Sequence, residues 1–383
     1  MILIKNTYLK PITSEDINNA DLLIGDDGKI AEIGIGLTAP DGAEIIDAEG
    51  RLTTPGLIEA HSHLGIHEAV LDWQGRDVNE RTDPITPHMS AIDGINPSDE
   101  YIGMAIKYGV TTACINTGSS NVVGGSSVAI KLHGNCIDKM IIKYPAAMKC
   151  AFGENPKNAH GQSSKRMPYT RMGIAALLRD LLEKSKNYLA DKENGKNPSY
   201  DAKLEAMIPV MKKEIPLKAH AHRSYDILTA IRIAKEYDVN LTLDHCTEGH
   251  LITEEIRESG FPAIVGPSMG GKSKPELIEK TFETAGILHK AGIPVCITTD
   301  APVSPQHYLP LCAGLAVSYG LPMEEGWRAI TITPAKVIGV SDRVGSLEVG
   351  KDADIVIWTA DPLTTVGARA ALTIMDGKVI HRV

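Results

Sequence analysis

Between Pro55 and about Val340 the chain alternates short apolar runs with longer stretches of helical pattern. Short apolar runs bounded by polar turns indicate buried strands, and their alternation with helical segments is typical of parallel sheets. Eight such runs occur, at 57–63, 110–116, 128–132, 146–152, 216–220, 240–245, 263–266 and 295–300. Eight strands within about 290 residues match the size of an eight-fold α/β barrel. We therefore predict a TIM-like (β/α)8 barrel over residues 55–343.

Both ends of the chain carry a different pattern, in which short β-type runs alternate with polar turns. Asp-Gly pairs at 27–28 and 376–377 are typical of tight hairpins. Neither end is long enough to bury a sheet of its own, so each needs a partner. We predict that residues 1–54 and 344–383 pair into a small β-sandwich domain beside the barrel.

The first barrel run ends in His61-Ser62-His63. Side chains at i and i+2 of a strand point to the same face, so the two imidazoles are expected to lie side by side, which suits a shared metal ion. Further ligand-type residues lie at the ends of later apolar runs: Lys149, His220, His222, His245 and Asp300. The downstream ends of the strands of a parallel barrel meet at one rim. The pattern therefore predicts a metal site at that rim.

Imidazole and carboxylate groups bind zinc and related divalent ions, and catalytic zinc sites keep an open position for water. The predicted ligands are His61, His63, His220, His245 and Asp300. A single histidine on an apolar strand is more often a core residue than a ligand. Five such residues at successive strand ends make that alternative unfavourable. We expect one or two divalent ions, with zinc favoured.

Three strings carry a resemblance to a known family: P-G-L-I-E-A-H-S-H at 55–63, T-T-D-A-P at 298–302 and G-S-L-E-V-G-K-D-A-D-I-V-I-W at 345–358. With the single histidines between them, they resemble the amidohydrolase superfamily of metal-dependent hydrolases, and within it the imidazolonepropionase-like branch. The resemblance covers nearly the whole chain. It implies a barrel in which His61 and His63 bind the more buried metal, His220 and His245 bind the other, and Asp300 contacts metal and water.

Between His63 and His220 the family carries either a carboxylated lysine that bridges two metals or a glutamate. This chain has both candidates: Lys149 lies inside an apolar run, and Glu154 follows five residues later. Lys149 would have to become an anionic carbamate, whereas Glu154 needs no modification. The strand position of Lys149 resembles that of the bridging lysine in relatives with two metals, which favours Lys149, while Glu154 stays a near-equal alternative. His220 and His222 share one strand face, and the family's A-H-A pattern favours His220 as the ligand.

The resemblance implies a hydrolase that cleaves a C–N bond of an amide, cyclic amide or dipeptide with a metal-activated water. We expect Asp300 to act as general base toward that water, and His245 or His222 to polarise the scissile group. Long loops at 65–96, 117–127 and 154–171 follow strand ends and are predicted lids. Their arginines and lysines, Arg76 and Lys157 among them, suggest a substrate with a carboxylate. Substrate-contacting candidates are His222, Arg223, His250, Arg166 and Arg171.

Two alternatives stay open. The first is a one-metal deaminase of a ring amine, with Glu154 acting away from the metal. The second is a non-catalytic barrel scaffold, which is disfavoured because the set of ligand-type residues is complete. A pair of ions about 4 Å apart would favour amide hydrolysis over deamination.

Composition narrows the partners to small molecules or dipeptide-like compounds. The net charge is −9 and no block of lysine and arginine offsets it, which argues against a nucleic-acid surface. No apolar run reaches the roughly 18 residues of a membrane span. The apolar part of Met1–Lys5 is too short for a signal peptide, so a cytoplasmic location is expected. Six widely spaced cysteines are expected to be buried free thiols.

Helical patterns and cap signals predict three helices of note. One covers 97–108 with Ser98 as its N-cap. Two amphipathic helices cover 172–189 and 199–213. This last pair could form the contact of a homo-oligomer.

Overall fold

The computed structural model describes residues 1–68 and 71–383, so positions 69 and 70 of the predicted lid loop 65–96 lie outside the described residues. The strands are β1 (Ile2–Leu9), β2 (Ile17–Ile24), β3 (Ile30–Gly34), β4 (Glu44–Asp47), β5 (Leu52–Pro55), β6 (Leu57–Ser62), β7 (Val110–Ile115), β8 (Val123–Lys131), β9 (Ile141–Ala151), β10 (Leu217–Ala221), β11 (Leu241–His245), β12 (Ala263–Val265), β13 (Val295–Ile297), β14 (Ile355–Trp358), β15 (Ala370–Met375) and β16 (Lys378–Arg382).

The helices are α1 (Glu100–Lys107), α2 (Ile137–Met140), α3 (Glu154–Pro156), α4 (Arg171–Glu193), α5 (Ala202–Met211), α6 (Ser224–Tyr237), α7 (Thr253–Ser259), α8 (Thr284–Lys290), α9 (Leu309–Ser318), α10 (Met323–Arg328) and α11 (Ile332–Val337). Short 3₁₀ turns cover Trp73–Gly75, Ala91–Gly94, Gly249–Leu251, Pro275–Leu277 and Gln306–Tyr308, and a π-helical turn covers Lys157–Ser163.

The central sheet has eight strands in the order β13-β12-β11-β10-β9-β8-β7-β6. Neighbouring strands are parallel except at β8, which runs antiparallel to both β7 and β9. The prediction of an eight-stranded barrel is confirmed, and its all-parallel form is corrected at this one strand. The connection 116–122 between β7 and β8 is too short for the crossover that a parallel pair requires. The predicted loop 117–127 is correspondingly shorter, since β8 begins at Val123.

The barrel nearly closes between its first and last strands. Ile297 of β13 donates a backbone hydrogen bond to Ala329, and Ile58 of β6 donates one to Ile330. Residues 329–330 therefore bridge the two edge strands. One further backbone bond joins His63 to Ala301 at 2.9 Å, which brings the downstream ends of β6 and β13 together.

Strand alternation in β10 explains how polar side chains reach the barrel interior. Leu217, Ala219 and Ala221 belong to the same apolar cluster as Ile227 and Ile231 of α6, which packs on the outside of the barrel. The residues between them on the strand face the opposite way. Lys218 and His220 therefore point toward the barrel axis, where they are buried.

Both ends of the chain join one sheet, in the order β16-β15-β14-β5-β1-β2-β3, with β4 pairing to β1. Strand β5 from the N-terminal part lies between β1 and β14, so the two ends meet along this strand. A buried lysine connects the sheet to the barrel. Lys131 of β8 lies 2.7 Å from Asp354 and 2.8 Å from Asp376.

The three predicted helices are present with shifted ends. The first begins at Glu100, and its N-cap is Asp99, whose side chain accepts a hydrogen bond from the backbone of Tyr101 at 3.2 Å. The prediction of Ser98 as cap was wrong by one position, since either residue type can cap a helix. The other two correspond to α4 and α5.

No helix among the described residues is both long and apolar enough to cross a membrane. The six cysteines are free thiols, five of them buried and Cys136 partly exposed.

Candidate metal centre

Six predicted site residues lie together at the downstream ends of the barrel strands. They are His61 in β6, His63 directly after it, Lys149 in β9, His220 in β10, His245 at the end of β11 and Asp300 shortly after β13. They are enclosed: the side chain of His61 is fully buried, and that of Asp300 is 14% exposed.

Asp300 lies within reach of three imidazoles. Its Oδ1 atom is 3.4 Å from Nε2 of His61 and 3.3 Å from Nε2 of His63. Its Oδ2 atom is 3.9 Å from Nδ1 of His245. One ligand atom each of His61, His245 and Asp300 lie within 4.8 Å of one another, a spacing that a single metal ion can bridge.

A second donor group adjoins the first. His220, His222 and His245 offer ligand atoms that also lie within 4.8 Å of one another. The ring centroid of His220 lies 4.7 Å from that of His222 and 4.5 Å from that of His245. His245 belongs to both groups, so the two adjoining groups offer donors for one or two ions.

Hydrogen bonds at Nδ1 orient several of these imidazoles. The contacts are His61 with Asp244 Oδ2 at 2.6 Å, His63 with the Asn116 carbonyl at 2.6 Å, His245 with the Gly266 carbonyl at 2.8 Å and His222 with Thr247 Oγ1 at 2.7 Å. A carbonyl oxygen only accepts, so His63 and His245 carry their proton on Nδ1. Their Nε2 lone pairs are thereby free for a metal.

Charge states also suit metal ligation. Burial lowers the pKa of His61, His220, His222 and His245 well below the usual histidine value, so these rings are neutral. Burial acts to raise the pKa of Asp300, but the nearby His245 and His63 outweigh it, and the net shift is downward. Neutral imidazoles around an ionised carboxylate are the forms that bind a divalent cation.

Two of the donors have left-handed backbone conformations. The φ angle is 71° at His245 and 52° at Asp300, and Cys246 follows with 46°. Consecutive strand residues normally face opposite sides, yet Asp244 and His245 both contact the centre. The left-handed turn at His245 directs its ring inward.

Lys149 and Glu154 differ sharply in position. The Lys149 side chain is 1% exposed, and its Nζ lies 3.3 Å from Nε2 of His61. Glu154 begins α3, its backbone N–H donates to Oε2 of Glu276 at 3.2 Å, and its side chain belongs to neither donor group.

The donor set fits a divalent ion. The Oδ1 atom of Asp300 is buried and has no hydrogen-bond partner among the described residues. A buried carboxylate oxygen without a partner is costly unless a cation or water satisfies it. Imidazole nitrogens of His61 and His63 lie 3.4 Å and 3.3 Å from that oxygen, and imidazole ligands suit zinc and related ions.

A family model for the Amidohydrolase family matches residues 52–380. The match covers most of the chain and includes both donor groups. The chain belongs to the Amidohydrolase family. The resemblance that the three sequence strings carry is thus confirmed.

Individual relatives agree with this family. A crystal structure of an amidohydrolase from Thermotoga maritima MSB8 superposes with a TM-score of 0.96, is 40% identical, and each chain covers 100% of the other. The amidohydrolase tasK of Hapsidospora irregularis is 30% identical over 88% of this chain, which spans 37% of that protein's length. The imidazolonepropionase of Klebsiella pneumoniae (strain 342) is 26% identical, with 87% of this chain and 84% of the relative covered.

This amidohydrolase is a metal-dependent hydrolase acting on carbon–nitrogen bonds. The alternative of a non-catalytic scaffold is therefore set aside.

Donors of both groups line a cavity of about 890 Å³. Its lining includes the side chains of His63, His220, His222, His245 and Asp300. Three basic residues, Arg76, Arg81 and Lys274, also line it, together with the apolar Trp73, Val303 and Leu277. The amidohydrolase thus has an open chamber above its donors, with cationic and apolar walls.

Most of the predicted substrate-contacting residues lie elsewhere. Only His222 of that set is among the described lining residues of the cavity. The other four are held by other partners: Arg166 by the Arg81 carbonyl, Arg171 by Asp226 at 2.9 Å, Arg223 by Glu248 at 2.9 Å and His250 by Thr284 at 3.0 Å. Sequence cannot tell a guanidinium that faces the chamber from one paired elsewhere, so a substrate contact by these four residues stays a prediction.

Three buried carboxylates support the centre without having been singled out from the sequence. Asp244 contacts His61, and Glu59 accepts hydrogen bonds from the Thr299 backbone at 2.9 Å and side chain at 2.8 Å. Glu59 and Asp244 are each a charged residue within an apolar strand, and this interruption of the apolar pattern could have identified them from the sequence. Glu276 lies 3.5 Å from Nε2 of His222, in a loop whose sequence gives no such signal.

Proposed function

We propose that this amidohydrolase cleaves a C–N bond in an amide, cyclic amide or dipeptide-like compound that carries a carboxylate. The observation that carries the proposal is the convergence of the His61 and His63 imidazoles on the unpartnered Oδ1 of Asp300, in the lining of an open cavity. This arrangement suits a hydrolytic metal site with room for substrate.

The residues that would hold the metal are His61, His63, His220, His245, Asp300 and Lys149 as a carbamate. Zinc is favoured because its preferred ligands are imidazole nitrogens and carboxylate oxygens. Burial lowers the pKa of the Lys149 amine to about 8, so a larger neutral fraction is available to add CO2 than in an exposed lysine. Its closeness to His61, and the separate position of Glu154, support Lys149 over Glu154 as the anionic ligand.

A bound divalent ion would supply Lewis acidity, which acidifies a water and polarises the scissile carbonyl. Asp300 is ionised and accepts the proton of the attacking water as general base. It then returns the proton to the departing nitrogen, so that the C–N bond breaks to give an acid and an amine.

His245 and His222, the two candidates for polarising the substrate, differ in the group that their Nδ1 atom contacts. Nδ1 of His245 donates to the Gly266 carbonyl, so its Nε2 carries no proton and suits ligation. Nδ1 of His222 contacts the hydroxyl of Thr247, which can donate or accept. His222 can therefore carry its proton on Nε2 and donate to the substrate carbonyl, and we assign that role to His222 and ligation to His245.

Arg81 is the proposed anchor for the substrate carboxylate. Arg76 pairs with Asp72 at 3.2 Å and Lys274 with Glu276 at 2.5 Å. Arg81 has no ion pair within the described ranges 1–68 and 71–383, while its backbone carbonyl is held by Arg166. A free guanidinium on a fixed backbone is suited to bidentate recognition of a carboxylate.

The proposal includes two points of organisation. Residues 1–54 and 344–383 form a β-sandwich domain beside a barrel domain of 55–343. This division is supported by an apolar cluster that contains Ile4, Leu22, Ile355 and Ile374 from both ends of the chain.

A homo-oligomer through the α4–α5 region is supported by the exposure of Met172 at 78% and Tyr200 at 77%. Light scattering on the purified protein tests the oligomer.

The experiment that tests the function combines metal analysis with a substrate panel. Protein purified without chelators is expected to contain one or two divalent ions per chain. Dipeptides, N-acyl amino acids, cyclic ureides and ring amines are then assayed, with released amine and ammonia measured separately. Amine or acid release that a chelator abolishes and zinc restores supports the proposal. Release of ammonia alone from ring amines would favour the deaminase alternative instead.

A further inference from the structure

A fully buried ion pair lies directly beneath the donor cluster. Asp244 of β11 and Lys218 of β10 are 0% and 1% exposed, and Nζ of Lys218 lies 3.1 Å from Oδ2 of Asp244. The same Oδ2 atom is 2.6 Å from Nδ1 of His61, and the other oxygen accepts a hydrogen bond from Thr242 at 2.8 Å. The Asp244 carboxylate thus connects Lys218 to His61.

The contacts of His61 define which nitrogen carries its proton. An ionised carboxylate only accepts, so a 2.6 Å contact with Asp244 requires the proton on Nδ1. On the other side of the ring, Nζ of Lys149 lies 3.3 Å from Nε2, and an amine in that position finds an acceptor. Oδ1 of Asp300, although 3.4 Å away, receives no hydrogen bond from His61. All three observations agree that Nε2 carries no proton.

We propose that Asp244 is a positioning residue for the metal centre: it holds His61 in the Nδ1–H tautomer with Nε2 aimed at the metal, and Lys218 in turn holds Asp244. This inference rests on the proposed metal site, and it adds two residues that neither bind metal nor line the substrate cavity. A carboxylate on the far nitrogen of a metal-binding imidazole fixes its tautomer and raises its basicity.

A purely structural role for the pair is the alternative. Burying two charges costs free energy, and replacing a buried ion pair with apolar groups is often neutral or stabilising. A pair kept only for stability would therefore be dispensable once both charges are removed together. A pair kept to orient His61 would not be.

A double-mutant cycle separates these roles. The variants are D244N, K218M and D244N/K218M, and the readouts are the melting temperature of the metal-free protein and its affinity for Zn²⁺ in competition with a chromogenic chelator. We expect D244N and the double variant to bind Zn²⁺ about 10- to 100-fold more weakly than the unmodified chain. We expect the double variant to recover melting temperature relative to the single variants but not Zn²⁺ affinity.

A matched control lies between β8 of the barrel and the start of β14 in the terminal sheet. Asp354 is also a buried aspartate paired with a buried lysine, Lys131, at 2.7 Å, but it contacts none of the donors. D354N should lower the melting temperature and leave Zn²⁺ affinity within twofold. Recovery of both readouts in D244N/K218M, or unchanged affinity in D244N, would overturn the proposal.

A measurement on the unmodified chain covers the case in which the variants fail to fold. In ¹⁵N-histidine-labelled, metal-free protein, two-bond ¹H–¹⁵N correlations report the tautomer of each ring, with His61 assigned by its loss in H61Q or, failing that, by contacts to assigned neighbours. The Nδ1–H form of His61 supports the proposal, and the Nε2–H form rejects it. Neither readout uses substrate, so absence of C–N hydrolysis would reject the proposed function without affecting this test.

Discussion

The Nζ atom of Lys149 lies 3.3 Å from Nε2 of His61, although 88 residues separate them in the chain. Both side chains are enclosed by the barrel, at 1% and 0% exposure. An uncharged or carboxylated lysine fits beside a row of metal donors, whereas a permanent cation there would compete with the metal. The short distance to His61 therefore favours Lys149 over Glu154 as the anionic ligand.

Removing Lys149 should therefore disable the centre. We expect K149A to lose activity by about 100-fold or more, because loss of a ligand exceeds the 10- to 100-fold effect of supporting residues. Acetate or propionate should restore part of the activity by occupying the space of the carbamate. E154Q is the matched control and should stay near the unmodified rate. The reverse pattern, with E154Q inactive and K149A active, would assign the anionic ligand to Glu154.

Replacing Asp300 with asparagine should abolish turnover while metal is retained. The isosteric D300N keeps a ligand-type oxygen but cannot take up a proton, and general-base removal costs about 10²- to 10⁴-fold in rate. The rate constant kcat and the metal content per chain are measured on the same preparation. Turnover within tenfold of the unmodified enzyme would show that another group takes the proton.

Arg81 should control recognition of the substrate carboxylate. We expect R81A to raise KM for a carboxylate-bearing substrate by about 10- to 100-fold, the effect of losing one charged hydrogen-bond pair, and to change kcat little. The amide or ester of the same substrate should lose much less. R223A is the control, because Arg223 pairs with Glu248 outside the chamber lining. Equal losses for charged and neutral substrates would contradict the assignment.

Lys131 should matter for stability and not for chemistry. It is 3% exposed and lies within 3.1 Å of three aspartates, Asp352, Asp354 and Asp376. K131M leaves buried carboxylates without their cation, and loss of one partner of a buried pair costs about 3–5 kcal/mol. Denaturant unfolding should report that loss, while kcat at low temperature stays near normal. A fall in kcat without a fall in stability would connect this cluster to the active centre.

Most of the fold could be predicted from the sequence because the apolar patterns that indicate strands are local. Apolar runs of strand length, each ending in a ligand-type residue, predicted the eight-stranded barrel and the rim where His61, His63, His220, His245 and Asp300 meet. The antiparallel direction of β8 was missed because strand periodicity is the same in both directions. Only the short connection 116–122 carried that information.

The loop residues were harder to predict, for a physical reason. Arg166 and Arg81 belong to the same class of exposed basic loop residue, yet only Arg81 lines the chamber, and Arg166 holds its backbone from outside. The direction of a long side chain on a loop depends on which partner it finds in space. The composition of a loop and the spacing of its residues do not indicate which partner that is.

The sequence by itself determined which residues could ligate a metal and at which strand ends they lie, since periodicity and chain direction fix both. The tertiary structure alone decided the orientation of each ring and the pairing of each charge. Asp244 reaches His61 across 183 residues, and the left-handed turn at His245 brings a neighbouring pair to the same centre. Such contacts depend on the closure of the barrel, because only closure brings distant strands within hydrogen-bonding distance.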